Sequence, residues 1–289
     1  MKTTSSLVNL GMAVLAAANL AAQYAPHHPS DAAGALSASY VKTGLYIISG
    51  GGSNTILRLS GNGLILVNGK YSDHYDELQR RVRKVVDQPV RVEINTDHYA
   101  NHNGTNTRFM ADHIQVIAQQ NAAQHLHSQD PSGSQPSPPA WTYENEKTLQ
   151  FGAVTVELFH IDKAHTDGDT AVYFPDLKAV ALGSLYSPDP IPDYSAGGSL
   201  AGWEEGLNQI LKLDFDVAIP DSGPTVSRAD VETLRSKIHL LIGRGKAIVR
   251  SGVPKGQLLS RLNAEDLGWR LSLSDDQLNQ LFGEFSRRN

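Results

Sequence analysis

The segment Asn95-Thr96-Asp97-His98-Tyr99-Ala100-Asn101-His102-Asn103-Gly104-Thr105-Asn106 gathers a carboxylate, two imidazoles, a phenol and several carboxamides directly after an apolar, β-like run. His98 and His102 stand four apart, a spacing that on a helix would present two imidazoles to one metal ion. Here the chain must first leave a strand, so His98 is expected to point away. Farther along, His165, Ser184 and Ser222 each sit in a short polar segment next to an apolar run. With Asp97 these residue types allow two chemistries: metal ligation by imidazole and carboxylate, and nucleophilic catalysis by Ser184 or Ser222 with His165 and Asp97. No Gly-x-Ser-x-Gly pattern surrounds either serine, which weighs against the second. Tyr99, with an ordinary phenol pKa of ~10, is expected to line a pocket rather than to ligate.

The first segment resembles the Asn-Thr-His-x-His-x-Asp-His-x-Gly-Gly-Asn loop of the metallo-β-lactamase superfamily, at the same length. Three other stretches resemble later landmarks of that family, in the family's order: Ala164-His165-Thr166-Asp167-Gly168-Asp169, Leu182-Gly183-Ser184-Leu185-Tyr186 and Ile219-Pro220-Asp221-Ser222-Gly223-Pro224. Gly197-Gly198-Ser199 before Trp203 adds a further likeness to exported, lactamase-like hydrolases. The resemblance runs from about Tyr46 to the C-terminal helices. It implies an α/β fold, a four-layer αβ/βα sandwich, and a site where metal ions would lower the pKa of a bound water and polarise the bond it attacks. It also implies that most zinc ligands are gone. Asp97 and Tyr99 stand for two histidines, Asn101 for an aspartate, Ser184 for the bridging aspartate and Ser222 for the last histidine, while His102 and His165 are retained. Asn68 takes the place of a buried aspartate that lies behind the metal ligands. Without a dication, neutral groups at Asn68, Asn101 and Ser184 avoid the cost of facing carboxylates.

The elements that position these residues follow from periodicity. Apolar runs at 45–48, 55–59 and 64–67, parted by Gly50-Gly51-Gly52 and Gly61-Asn62-Gly63, predict a three-stranded meander. Tyr75, Leu78, Val82 and Val85 have helical spacing, and 92–94 and 114–117 read as strands. In the second half, 154–160, 170–174, 179–182 and 217–219 read as strands, and Trp203, Leu207, Ile210 and Leu211 as a helix stripe. Ser227 and Asp230 form a capping signal before Val231, Leu234, Ile238 and Leu241. A Ser/Pro/Gln-rich stretch marks the junction of two αβ halves near 127–145 within a domain spanning 41–289.

The 289 residues, 40% hydrophobic and 19% charged, suffice for an ample core. The net charge of -5 and the scattered basic residues leave no footprint for nucleic acid. The absence of cysteine excludes disulfides and thiolate chemistry. Residues 1–22, a short polar start followed by an Ala-rich apolar run, read as a signal peptide, and 23–40 as a flexible leader. The expectation is therefore a secreted or periplasmic protein without stable membrane insertion, lacking zinc-dependent hydrolysis and keeping its cleft for a small molecule or partner protein, with no bound cofactor. The alternatives are an atypical metal hydrolase of an ester, amide or lactam bond, with zinc at low occupancy on Asp97, His102 and His165, and a metal-free serine hydrolase. Export is checked by the N-terminus of the mature protein: mass spectrometry is expected to find Asn19 or Gln23, and an intact Met1 in cytoplasmic material overturns the expectation.

Overall fold

A computed structural model describes residues 35–126, 139 and 141–287. Strands β1 (Ser37–Lys42), β2 (Leu45–Ser49), β3 (Thr55–Ser60) and β4 (Gly63–Val67) form an antiparallel meander, followed by helix α1 (Tyr75–Val85). Strand β5 (Val90–Ile94) is parallel to β4, and the site loop then leads into the short helices α2 (Ala100–Asn103) and α3 (Asn106–Ala111). Strand β6 (Gln115–Gln119), helix α4 (Gln120–His125) and strand β7 (Trp141–Tyr143) complete a seven-stranded sheet in the order β1 to β7.

The second sheet has six strands, ordered β13-β12-β11-β10-β9-β8. They are β8 (Glu146–Phe151), β9 (Val154–Ile161), β10 (Asp169–Phe174), β11 (Ala179–Gly183), β12 (Val217–Pro220) and β13 (Val226–Ser227). Helix α5 (Leu200–Ile210) lies between β11 and β12 in the chain, and α6 (Arg228–Arg250), α7 (Leu258–Arg261) and α8 (Asp275–Ser286) follow β13. The Ser227 hydroxyl accepts from Asp230 N while the Asp230 carboxylate accepts from Ser227 N, so the expected capping box starts α6.

The layering follows from the side-chain alternation. In β4, Ile65 and Val67 join Val92, Ile94, Val172, Phe174 and Ile219 between the sheets, while Leu64 and Leu66 face outward onto Leu78 and Val82 of α1. In β11, Ala179 and Ala181 face the first sheet, and Val180 and Leu182 face Trp203, Leu207 and Ile238 of α5 and α6. Central strands buried on both faces read as continuous apolar runs, which is why they were legible. The result is helix, sheet, sheet, helix, as the α/β four-layer expectation requires.

Two boundaries need correction. Strand β1 begins at Ser37 and Leu36 is buried against α1, so order reaches back into the stretch 23–40 assigned to a flexible leader. The junction near 127–145 is also partly structured, because β7 pairs with β6 through Trp141, Thr142 and Tyr143. Strand β8 was not anticipated: it is an edge strand whose Lys, Thr and Gln side chains blur the alternation. The signal-peptide reading of 1–22 and His127 lie outside the described residues.

Two glycines of α6 respond oppositely to a methyl group. A Cβ on Gly245 would run into the Phe285 ring of α8, whereas one on exposed Gly243 meets nothing within 4 Å. At Gly245 overpacking outweighs the gain in helix propensity, so Gly245→Ala is expected to lose roughly 1 kcal/mol, and Gly243→Ala to gain up to about 1 kcal/mol. Urea unfolding of both variants measures the two signs; a stabilised Gly245→Ala would show that α6 and α8 are not in contact.

Candidate functional site

The C-terminal ends of the parallel strands β4, β5, β11 and β12 converge, and the residues just beyond them make the site. Beyond β4, Asn68 (φ +60) turns its buried amide onto Thr96, accepting from Thr96 N at 2.8 Å. Beyond β11, Gly183 (φ +52) packs so closely on the Thr96 side chain that a Cβ would overlap it. Thr170 N of β10 donates to Thr96 O at 2.7 Å, so the loop after β5 is clamped from both sheets. That clamp places Asp97 in the interior, fully buried.

Both oxygens of the Asp97 carboxylate are occupied. Oδ1 accepts from His102 Nδ1 at 2.6 Å and from Tyr99 N at 3.0 Å, and Oδ2 accepts from Ser184 Oγ at 2.9 Å and Thr96 Oγ1 at 3.4 Å. Burial pushes the Asp97 carboxyl up, but the charge and hydrogen bond of His102 outweigh it and hold the group well below the usual carboxylate range. Burial likewise pushes the His102 imidazole down, and Asp97 more than offsets it, leaving His102 above its ordinary value. Asp97 and His102 form a buried ion pair. Its other ring nitrogen, Nε2, has no hydrogen-bond partner and lies 4.0 Å from Asp221 Oδ2.

A second cluster lies beside the first. The Tyr99 hydroxyl donates to Asp193 Oδ2 at 3.1 Å and lies 3.4 Å from His165 Nδ1, whose ring packs edge-on against Trp203. Burial drives the Tyr99 phenol far above its ordinary range and His165 down to about 4, so both are neutral near pH 7. His98 lies beside this cluster without a hydrogen bond to Asp97, His102 or His165. It is buried, packs on the Tyr99 and His125 rings, and burial lowers its pKa. His125 and His160 are satisfied, the first by Asp167 Oδ1 at 2.9 Å and the second by Asp167 O at 2.8 Å.

The structure thus unites Asp97, His102 and Ser184, and separately Tyr99 and His165, but leaves Asn101 and Ser222 apart from both. Asn101 donates to Gly52 O at 3.1 Å, and Ser222 Oγ donates to Asp221 Oδ1 at 3.1 Å. Neither Ser184 nor Ser222 is hydrogen-bonded to an imidazole, which corrects the Ser-His-Asp grouping. The donor set does not fit zinc: Asp97 is saturated by protein donors, Tyr99 stays protonated, and among the described residues no three His, Cys, Asp or Glu side chains converge to hold a metal ion.

Three participants were missed from sequence. Asp193 and Asp221 approach from loops distant in the chain, although Asp221 lies inside the motif already singled out. Lys70 is wholly buried, donates to Ile48 O at 2.8 Å and to Ser53 O, and burial lowers its pKa to about 7. It staples the turn Gly50-Gly51-Gly52. Beside that turn runs a groove of about 730 Å³, bounded by Tyr40 and Val41 of β1 and by Ser222 to Thr225.

No protein-family profile matches the chain. Solved structures similar to it include metallo-β-lactamases. One from Pontibacter korlensis superposes with a TM-score of 0.61 at 18% identity, covering 71% of this chain and 99% of its own. The DIM-1 metallo-β-lactamase gives 0.62 at 18% identity, over 72% and 98% of the two chains. FIM-1 from Pseudomonas aeruginosa, in a mono-zinc form, gives 0.60 at 15% identity, over 71% and 95%. The protein has the metallo-β-lactamase fold. A curated protein, the 2,4-dinitroanisole O-demethylase subunit alpha of Nocardioides sp. (strain JS1661), is 26% identical over 149 residues, which is 50% of this chain. The chain spans less than half, 44%, of that relative.

The Asp97–His102 pair makes a pH-dependent contribution to stability. Its carboxylate half is present above the unfolded value of 3.8 and fades as pH falls through the lowered folded value; its imidazole half is present below 6.5 and fades as pH rises through the raised one. The coupling is therefore fully expressed between pH 3.8 and 6.5. His102→Ala is expected to cost about 3–5 kcal/mol by stranding a buried charge, with part recovered in Asp97→Ala/His102→Ala. A double-mutant cycle of thermal melts across pH measures it; purely additive losses would show that the two side chains do not pair.

Proposed function

We propose that this is an exported metallo-β-lactamase-fold protein that does not carry out zinc-dependent hydrolysis, and that its cleft and the adjoining groove bind a small molecule or a partner protein. The observation that carries the reading is the saturation of Asp97. A carboxylate that accepts from a buried imidazole, a serine hydroxyl and a backbone N–H has its lone pairs taken up by protein donors, which leaves in this cluster one free imidazole nitrogen, His102 Nε2, where zinc needs three or four ligands. Export rests on the apolar, small-residue run at the start of the chain. No helix among the described residues is long and apolar enough to cross a membrane.

A second reading is cleavage of a C–O bond without a bound dication. It is favoured by the likeness to an O-demethylase subunit together with the unpartnered, buried His102 Nε2. Under either reading, protein purified with excess zinc and then desalted is expected to carry less than one zinc per chain by elemental analysis. Two tightly held zincs would sink both readings, and a single zinc lost in Asp97→Ala would instead favour the mononuclear metal-hydrolase alternative.

A further inference from the structure

Within the Asp97–His102–Ser184 cluster every polar side-chain atom has a hydrogen-bond partner except His102 Nε2. A fully buried ring nitrogen left without a partner is costly, and such an atom marks a place where a small polar ligand can bind. It faces Asp221 Oδ2 across 4.0 Å, too far for a direct hydrogen bond yet a gap that one oxygen atom can bridge from both sides. The Asp221 side chain is 23% exposed, so the bridge is reached from solvent on that side. Its other oxygen is held by Ser222 Oγ, and its backbone accepts from Asn54 N and donates to Gly183 O. On the opposite side of the ring, Asp97 holds the proton on Nδ1, so that the neutral ring formed at alkaline pH carries its lone pair on Nε2.

We propose that His102 and Asp221 hold a water molecule between them and that His102, oriented by Asp97, takes its proton, giving the cleft a metal-independent hydrolysis of activated esters. This rests on the second reading above and names its substrate class. One water O–H breaks, its proton passes to Nε2 and the oxygen bonds to the ester carbonyl carbon. The tetrahedral adduct then collapses, expels the phenolate, and the imidazolium returns its proton through Asp221 to solvent. No oxidant, reductant or further reactant is needed. The substrate must be activated because the cleft's hydroxyls are already committed: Tyr99 donates to Asp193 and Ser184 to Asp97, so neither is placed to donate to a developing oxyanion. The leaving group therefore has to depart as a stable anion, as an acidic phenol does.

The test is the hydrolysis of 4-nitrophenyl acetate by chelator-treated full-length protein, at alkaline pH because Asp97 favours the imidazolium. His102→Asn and Asp221→Asn are expected to lower kcat by about a hundredfold, the scale of general-base catalysis, with KM unchanged. Asp221→Asn keeps the backbone contacts of the loop and so remains informative if His102→Asn fails to fold. His239, whose side chain is 63% exposed on the outer helix layer, controls for non-specific attack by a surface imidazole. His239→Asn is expected to leave the rate unchanged. Loss of activity on chelation overturns this proposal and the zinc-free reading together. Absence of activity, activity that survives both cleft substitutions, or activity lost in His239→Asn overturns this proposal alone.

Discussion

The compensation of one buried carboxylate, Asp97, governs the site. A charge with no exposure cannot be left to the low-dielectric interior, and the donors that meet it come from separate parts of the chain: its own loop through Tyr99 N, helix α2 through His102, and the turn after β11 through Ser184. Those three contacts fix the loop after β5, dock α2 beneath it and bind one sheet to the other. The clamp on Thr96 by Asn68, Gly183 and Thr170 N is the backbone half of the same arrangement.

This balance also explains which polar groups the pocket tolerates. In a zinc site several carboxylates are stabilised by the charge of the ions. Here the Asp97 carboxylate is met by one imidazole, His102, whose other side faces Asp221, and the neighbouring positions Asn68 and Ser184 supply hydrogen bonds without adding charge. Tyr99 fills space and is kept neutral by its surroundings, while His165 is pushed toward its neutral form. The open volume lies to one side, along the Gly50-Gly51-Gly52 turn that buried Lys70 holds through Ile48 O and Ser53 O.

The unpaired His102 Nε2 stands out against this saturation. Every other polar side-chain atom of the Asp97 cluster has been given a partner, and the exception points at a carboxylate that reaches solvent. The geometry is that of an oriented imidazole, because Asp97 takes up one ring nitrogen and leaves the other toward Asp221.

The sequence by itself determined the four layers and the location of the site. Buried central strands such as 64–67 and 179–182 have to be apolar on both faces, the Ser227 cap is local, and a loop between strand and helix is visible wherever periodicity stops. The resemblance also set the expectation that the residues at the family's ligand positions are the wrong types for two zincs. Tertiary structure alone decided how those residues are used. Side chains at 97, 102 and 184 meet only because parallel strands end together, so neither the Asp97–His102 pairing nor the separation of Asn101 and Ser222 from it could be read along the chain. The same holds for His98, whose burial follows from the packing of His125 and Tyr99, and for Asp193 and Asp221, which arrive from remote loops. Edge strands β1, β7 and β8 were unreadable because they carry polar residues and take their conformation from a neighbour's hydrogen bonds, a constraint that exists only once the sheets have formed.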